Sequence, residues 1–242
     1  TEVSRVALIM TFVIVTGGID LSVGSILGLS AIVLGVAWKK LGLPLPLAIL
    51  VALSVGTLAG LFNGIIITRF KVPPLIATLA TLALYRGLAE GISQARSIRG
   101  YPEWFFILGQ GEFFGIPTQL WIVAFFTLLS GFILTYKTWG RATYAIGANE
   151  TAARFSGIAV DKTKLFIYAA SGFAASLAAI IFVSRVSTTR SDMGMGLELD
   201  AITAVVLGGT SIFGGKGTIV GTFFGLILIQ ILKNGLSLAG VK

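Results

Sequence analysis

The sequence predicts an all-α integral membrane protein, a polytopic helix bundle with interrupted helices and an inverted internal repeat. Three observations predict it. Hydrophobic residues make up 55% of the 242 and charged residues only 12%, with a mean hydropathy of +0.95, whereas soluble domains are about 25% charged. The apolar residues fall in runs long enough to cross a bilayer. The 31 glycines suit close helix packing in lipid. One transmembrane domain is expected to fill residues 1–242.

With no cysteine and no histidine, the chain has no disulfide, thiol nucleophile, Cys/His zinc site or imidazole relay. Its net charge of +8 fits basic loops at lipid headgroups better than nucleic-acid binding. No cofactor or metal is expected. Nothing resembles a cleavable signal peptide. The chain begins at Thr1 without Met and ends at Lys242 just past a helix, as a fragment would.

Seven hydrophobic segments follow in order. The first, Val6–Trp38, is too long for one straight crossing. The stretch VTGGIDLSVGS, Val15 to Ser25, divides it into Val6–Val15 and Leu21–Trp38. Next come Leu45–Thr68, then Leu75–Gly91 behind Pro73–Pro74, because the residue before proline avoids helix. Leu120–Tyr136 and Leu165–Ser184 flank a polar island. Ala201–Phe213 is too short to span about 30 Å and runs into glycines. Thr218–Leu236 closes the series.

The second and last of these regions are related. Shifting Gly56–Ile67 by 161 residues onto Gly217–Leu228 matches six of twelve positions, where chance gives roughly one. A shift of 180 puts Asp20 on Asp200, Leu27 on Leu207 and Gly28 on Gly208. The copies are residues 20–68 and 200–229, the second lacking 19 residues and so forming a tighter hairpin. Five crossings are counted between them, and an odd number inverts the second copy. Inverted repeats with broken helices mark transporters.

Asp20 and Asp200 each precede an apolar helix. A carboxylate there can accept from free N–H groups, and glycines 17 and 18 permit a sharp entry. Two readings stay open. Asp20 is only a cap, or Asp20 and Ser22 face a polar cavity, since an intramembrane acid is a functional candidate. Asp20, Ser22, Thr57 and Asn63 are the pathway candidates, as polar groups on the repeat helices.

The polar island spans Lys137–Lys164. Asn149 can cap a short helix, Glu150–Ser156, which Gly157 can end, and Asp161 can cap the next segment. Ala152, Ala153 and Phe155 would form a small apolar face beside Arg154. That pattern fits either a plain loop or a docking element. The basic residues Lys137, Arg141, Arg154, Lys162 and Lys164 favour the cytoplasmic side. Arg5, Arg69, Lys71 and Lys216 then fall inside, and Lys39, Lys40, Arg96, Arg99, Arg185 and Arg190 outside.

Three stretches carry a family resemblance: TGGIDLSVGSILGLSA, GRATYAIGANETAARFSGI and AVVLGGTSIFGGKGTIVGTFFG. They resemble permease subunits of bacterial ABC importers of the ribose type, which also take up other monosaccharides and the autoinducer sugar. The middle stretch is shared with branched-chain amino-acid permeases. The resemblance implies a homo- or heterodimer in the bacterial inner membrane, a cytoplasmic ATPase and a periplasmic sugar-binding protein. It makes the segment Asn149, Glu150, Ala152, Ala153, Arg154, Phe155, Ser156 and Gly157 the coupling helix seated in the ATPase. It also implies further hydrophobic helices before Thr1 and after Lys242.

The expected function is a transport subunit without chemistry of its own. GGKGT at Gly214–Thr218 fails as a phosphate loop, because Thr210 replaces its first glycine and Gly217 follows the lysine. An ion-coupled secondary transporter or channel also fits the inverted repeat, but few intramembrane acids are available for coupling. An intramembrane enzyme finds no HExxH, GxSxG or acidic metal motif. The acidic trio Asp192, Glu198 and Asp200 is explained by a loop and a cap.

Overall fold

The computed structural model describes residues 2–94 and 96–240. The helices expected beyond Thr1 and Lys242 lie outside the described residues. Eight hydrophobic helices carry the fold: α1 Glu2–Val15, α2 Val23–Lys39, α3 Leu45–Arg69, α4 Pro74–Ser93, α6 Thr118–Tyr136, α9 Val160–Val186, α10 Leu197–Leu207 and α11 Ile219–Leu238. Between them lie α5 Ile107–Gln110, α7 Thr138–Ala148 and α8 Glu150–Phe155. Helices α3, α4, α6, α9 and α11 are long and apolar enough to cross a membrane. Prolines start three of them: Pro44 and Pro73 precede α3 and α4, and Pro117 precedes α6. A proline's fixed φ suits a first turn whose N–H groups have no partner.

Helix α9 is the central post. Of its most apolar stretch 61% is buried, against 11% for α6, which lies on the outside of the bundle. Helices α1 and α2 are buried almost throughout. Small residues set the distance between α3 and α9. A Cβ on Gly60 would collide with the Tyr168 carbonyl, and one on Gly172 with the Gly56 carbonyl. The stripe Gly56, Gly60, Gly64 thus lets two backbones touch, as small residues do between membrane helices.

The first segment is a reversal, not a kinked crossing. Glu2, at the start of α1, pairs with Arg185 at the end of α9 (3.2 Å). Gly35, near the end of α2, packs on Thr189 just beyond α9. Both outer ends of the pair therefore lie together, and Thr16–Ser22 is the hairpin turn. This moves Arg5 to the Arg185 end of the molecule, away from the polar island, where it lies 3.9 Å from Glu2. The sequence places Arg5 inside because it treats Val6–Trp38 as one crossing; with the reversal Arg5 lies on the same side as Lys39 and Arg185.

The second broken region is also a hairpin. Asp200 on α10 meets Lys233 on α11 at 2.5 Å, and Gly208 abuts Gly221 at the other end. Asp200 sits inside α10, whose cap is Gly196, so it is an ion-pair partner and not a helix-entry residue like Asp20. Helix α10 starts four residues earlier and stops six earlier than the sequence suggested, between the turn at Gly194–Gly196 and the Gly208–Gly209 turn. Between α3 and α10 three helices cross, α4, α6 and α9, not five. The parity is still odd. The α2–α3 pair rises then descends, and α10–α11 does the reverse.

Opposite the polar island, residues 98–117 form a crest over the bundle. Strand β1 (Ile98–Arg99) pairs antiparallel with β4 (Thr188–Thr189), and β2 (Glu112–Phe113) with β3 (Ile116–Pro117). Ser184 Oγ donates to the Phe105 carbonyl (2.5 Å), and Gln110 Nε2 to that of Arg185 (2.8 Å). Each member of the acidic trio has a local partner of its own, Asp200 with Lys233 as above. Asp192 pairs with Arg190 (2.5 Å), and Glu198 accepts from the Gly196 N–H (3.3 Å).

Candidate functional site

The α1–α2 turn delivers Asp20 into the centre of the bundle. Its Oδ1 accepts from the Ser22 N–H (3.0 Å) and hydroxyl (2.6 Å), and its Oδ2 from the Ser171 hydroxyl on α9 (2.8 Å). Asn63 Nδ2 on α3 donates to Ser22 Oγ (2.7 Å). The Tyr85 hydroxyl on α4 donates to the Ala59 carbonyl (2.8 Å) and lies 3.3 Å from Asn63 Oδ1. Thr78, also on α4, lies 3.2 Å from the Ile19 carbonyl. The cluster thus ties the turn to three helices.

Asp20, Ser22 and Asn63 have no exposed surface. A buried carboxylate is costly unless its oxygens are satisfied, and both oxygens here are met by hydroxyls and an N–H. Asp20 does not cap α2 itself. Ser22 occupies the cap position but its hydroxyl bonds Asp20 and Asn63 instead of capping the helix backbone, and Asp20 accepts from the Ser22 N–H two residues on, as in an Asx-turn. Three of the four pathway candidates are brought together. Thr57 is not: its hydroxyl bonds the Leu53 carbonyl on its own helix (2.7 Å). Asn63 is six positions further along α3, which places the two about 120° apart around the helix.

Ser171, Tyr85 and Thr78 escaped the sequence reading. Each looks unremarkable within an apolar helix, and no local pattern marks it. Tyr168 joins them as a buried hydroxyl beside Gly18, with no hydrogen-bond partner among the described residues.

At the N-terminal end of α9 stands the polar island. Asn149 caps α8, its Oδ1 accepting from the Ala152 N–H (2.9 Å). Gly157 ends it at φ +81°, a conformation glycine adopts without a Cβ clash. Five charges knit the island to the bundle. Arg154 grips Asp161 through two bonds (2.9 Å each) and Glu150 at 3.1 Å. Lys164 reaches Glu150 at 2.5 Å, and Lys71 reaches Asp161 at 3.0 Å. Asp161 is therefore an ion-pair anchor; the cap of α9 is Ala159. Partial burial pushes the Glu150 carboxyl up, but hydrogen bonds from Lys164 and Arg154 outweigh it and hold it below its ordinary value.

The expected Ala152–Ala153 face is split. Ala153 turns inward onto Ile146 and Val160, while Ala152 and Phe155 face outward, Phe155 88% exposed. The island also holds a longer helix that the sequence pattern does not mark. This is α7, whose Trp139 packs on Phe12 with the rings tilted (centroids 5.6 Å apart) and meets Phe166 edge to face (5.1 Å).

Comparison with known proteins agrees with this architecture. The family described as the permease component of the branched-chain amino-acid transport system matches residues 4–242. The chain is 42% identical over 241 residues to the ribose import permease protein RbsC of Haemophilus influenzae, covering 98% of this chain and 74% of that one. It is 46% identical over 238 residues to RbsC of Bacillus subtilis, covering 96% and 73%. It is 42% identical over 243 residues to the autoinducer 2 import system permease protein LsrD of Escherichia coli, covering 98% and 73%. No solved structure matches. A helical membrane bundle with a buried polar turn, matched over nearly its whole length, belongs to the branched-chain amino-acid transport-system permease family and is a membrane-embedded transport component.

Proposed function

We propose that this chain is the translocating subunit of an ATP-driven importer for a monosaccharide or similar small polar solute. The observation that carries the reading is its similarity, over almost the whole chain, to permeases named for ribose and autoinducer 2 import. Two such subunits, alike or different, would sit in the bacterial inner membrane. A periplasmic binding protein would deliver the solute to the crest, and a cytoplasmic ATPase would dock on the island.

Residues 149–157 form the coupling element in this reading. Phe155 and Ala152 present the docking surface. Ala153, Glu150 and Arg154 seat the helix on its own chain, and Asn149, Ser156 and Gly157 shape its ends. The cluster of Asp20, Ser22 and Asn63 is the polar seam between α2, α3 and α9 that opens for passage. The opposite directions of α2–α3 and α10–α11 support the two copies as an inverted repeat about an axis in the membrane plane.

The test is ribose uptake into liposomes holding the permease, its ATPase and its binding protein. Uptake that needs ATP and survives an ionophore supports the importer. Uptake without ATP that collapses with the ion gradient would establish the ion-coupled alternative.

A further inference from the structure

The island and both membrane hairpins meet at one point. A Cβ on Gly147, in the last turn of α7, would collide with the Val15 carbonyl. That same carbonyl accepts the Gly215 N–H at 2.8 Å. A Cβ on Gly214 would come within 3.0 Å of both the Gly147 carbonyl and Gly17 Cα. One turn earlier on α7, the Tyr144 hydroxyl donates to the Gly217 carbonyl at 2.6 Å. Three backbone segments remote in sequence are therefore in direct contact, with no side chain between them to yield.

On either side of this knot there is little slack. Asn149 alone separates α7 from α8; it ends one helix and caps the other. The turn after Val15 is braced from within. Gly17 N–H bonds the Ile14 carbonyl (2.8 Å), Gly18 N–H that of Val13 (3.0 Å), and Thr16 Oγ1 that of Val13 (2.7 Å). Asp20 follows two residues after Gly18. Packed interiors deform little and pass displacement on.

We propose that α7 is a rigid transmitter, with Tyr144 and Gly147 as positioning residues that carry motion of α8 to the Asp20 turn. The proposal rests on the reading of α8 as the ATPase-docking helix. It competes with a direct route from α8 to α9 through Arg154 and Asp161.

The experiment is hydrogen exchange on the permease–ATPase complex in nanodiscs, with and without a non-hydrolysable ATP analogue. In the wild type the analogue should change exchange at α8 and at residues 16–22. Tyr144→Phe should leave the change at α8 intact and cut that at 16–22 at least fivefold. A full response at 16–22 in Tyr144→Phe overturns the transmitter. A wild-type complex that responds at α8 but not at 16–22 overturns it too. No response at α8, or no ATPase bound to wild-type permease, refutes the docking reading itself and with it the transmitter.

Discussion

Asp20 and Ser171 are 151 residues apart and joined by a 2.8 Å hydrogen bond in the centre of the bundle. The bond fastens the turn between α1 and α2 to the central post α9. Replacing Asp20 by Ala strands the Ser22 N–H and the Ser22 and Ser171 hydroxyls without their acceptor. Each stranded group costs about 1–3 kcal/mol, so Asp20→Ala should assemble poorly. Asp20→Asn keeps an acceptor for Ser22, and the Ser171 hydroxyl can rotate to accept. It should insert normally and unfold in detergent within about 1.5 kcal/mol of wild type. If the seam also serves passage, ribose uptake by Asp20→Asn falls all the same. Wild-type uptake with normal assembly would leave Asp20 a purely structural role.

A second prediction separates two glycines by what surrounds them. Gly60→Ala drives a Cβ into the Tyr168 carbonyl and pushes α3 off α9. Overpacking of this kind costs about 1–3 kcal/mol. Asn63, one turn along α3, should then withdraw from Ser22. Gly87 on α4 has nothing within 4 Å of a Cβ, so Gly87→Ala should be neutral or gain up to about 1 kcal/mol in helix propensity. Thermal unfolding of the two variants in one detergent measures the contrast. Equal melting temperatures would show that α3 and α9 are not held by this approach.

What could be read from the sequence was what has a local signature. Runs such as Leu45–Thr68 gave α3 to within a residue at each end, because apolar length and Pro44 are local signals. Asn149 and Gly157 marked α8 for the same reason. Long-range facts were hidden. Whether Val6–Trp38 crosses once or doubles back depends on which ends meet, and only the Glu2–Arg185 pair and the Gly35–Thr189 contact decide it. Ser171 and Tyr85 belong to the polar seam through partners on other helices. Helix α7 was missed because GRATYAIGA mixes glycine, threonine and charge, and its stability comes from packing on Phe12, Phe166 and Gly217.

The island should be insensitive to mild acid. Glu150 is held below its ordinary value. A depressed carboxylate contributes stability that is fully present above its unfolded pKa of about 4.3 and is lost as pH falls through the lower folded value. A fluorinated phenylalanine at position 155, followed by NMR, should therefore give one unchanged signal from pH 7 down to pH 5, broadening only below about pH 4. Glu150→Gln should loosen α8 already at pH 7. A transition near pH 6 in wild type would mean that the Lys164 and Arg154 contacts do not hold Glu150 ionised.

The docking surface itself is tested best at Phe155. Ala153, expected with Ala152 and Phe155 to form that surface, is 4% exposed and packs on Ile146 and Val160. Ala153→Asp would bury a charge and unseat α8, so loss of partner binding there could not be assigned to docking. Phe155 is 88% exposed. Phe155→Ala therefore removes almost no intramolecular packing, and the stability of the permease should change by less than about 0.5 kcal/mol. If the ring fills a groove on the ATPase, it acts as an aromatic anchor. Such anchors contribute about 2 kcal/mol or more, which is at least a tenfold loss of affinity. The measurement is recovery of the ATPase with tagged permease across a concentration series, beside an insertion and melting control. Arg154→Lys is the companion variant. It keeps the charge but loses the two-pronged grip on Asp161, so it should loosen α8 and lower recovery less than Phe155→Ala. Wild-type recovery with Phe155→Ala would remove α8 from the interface and leave it a loop element braced on its own chain.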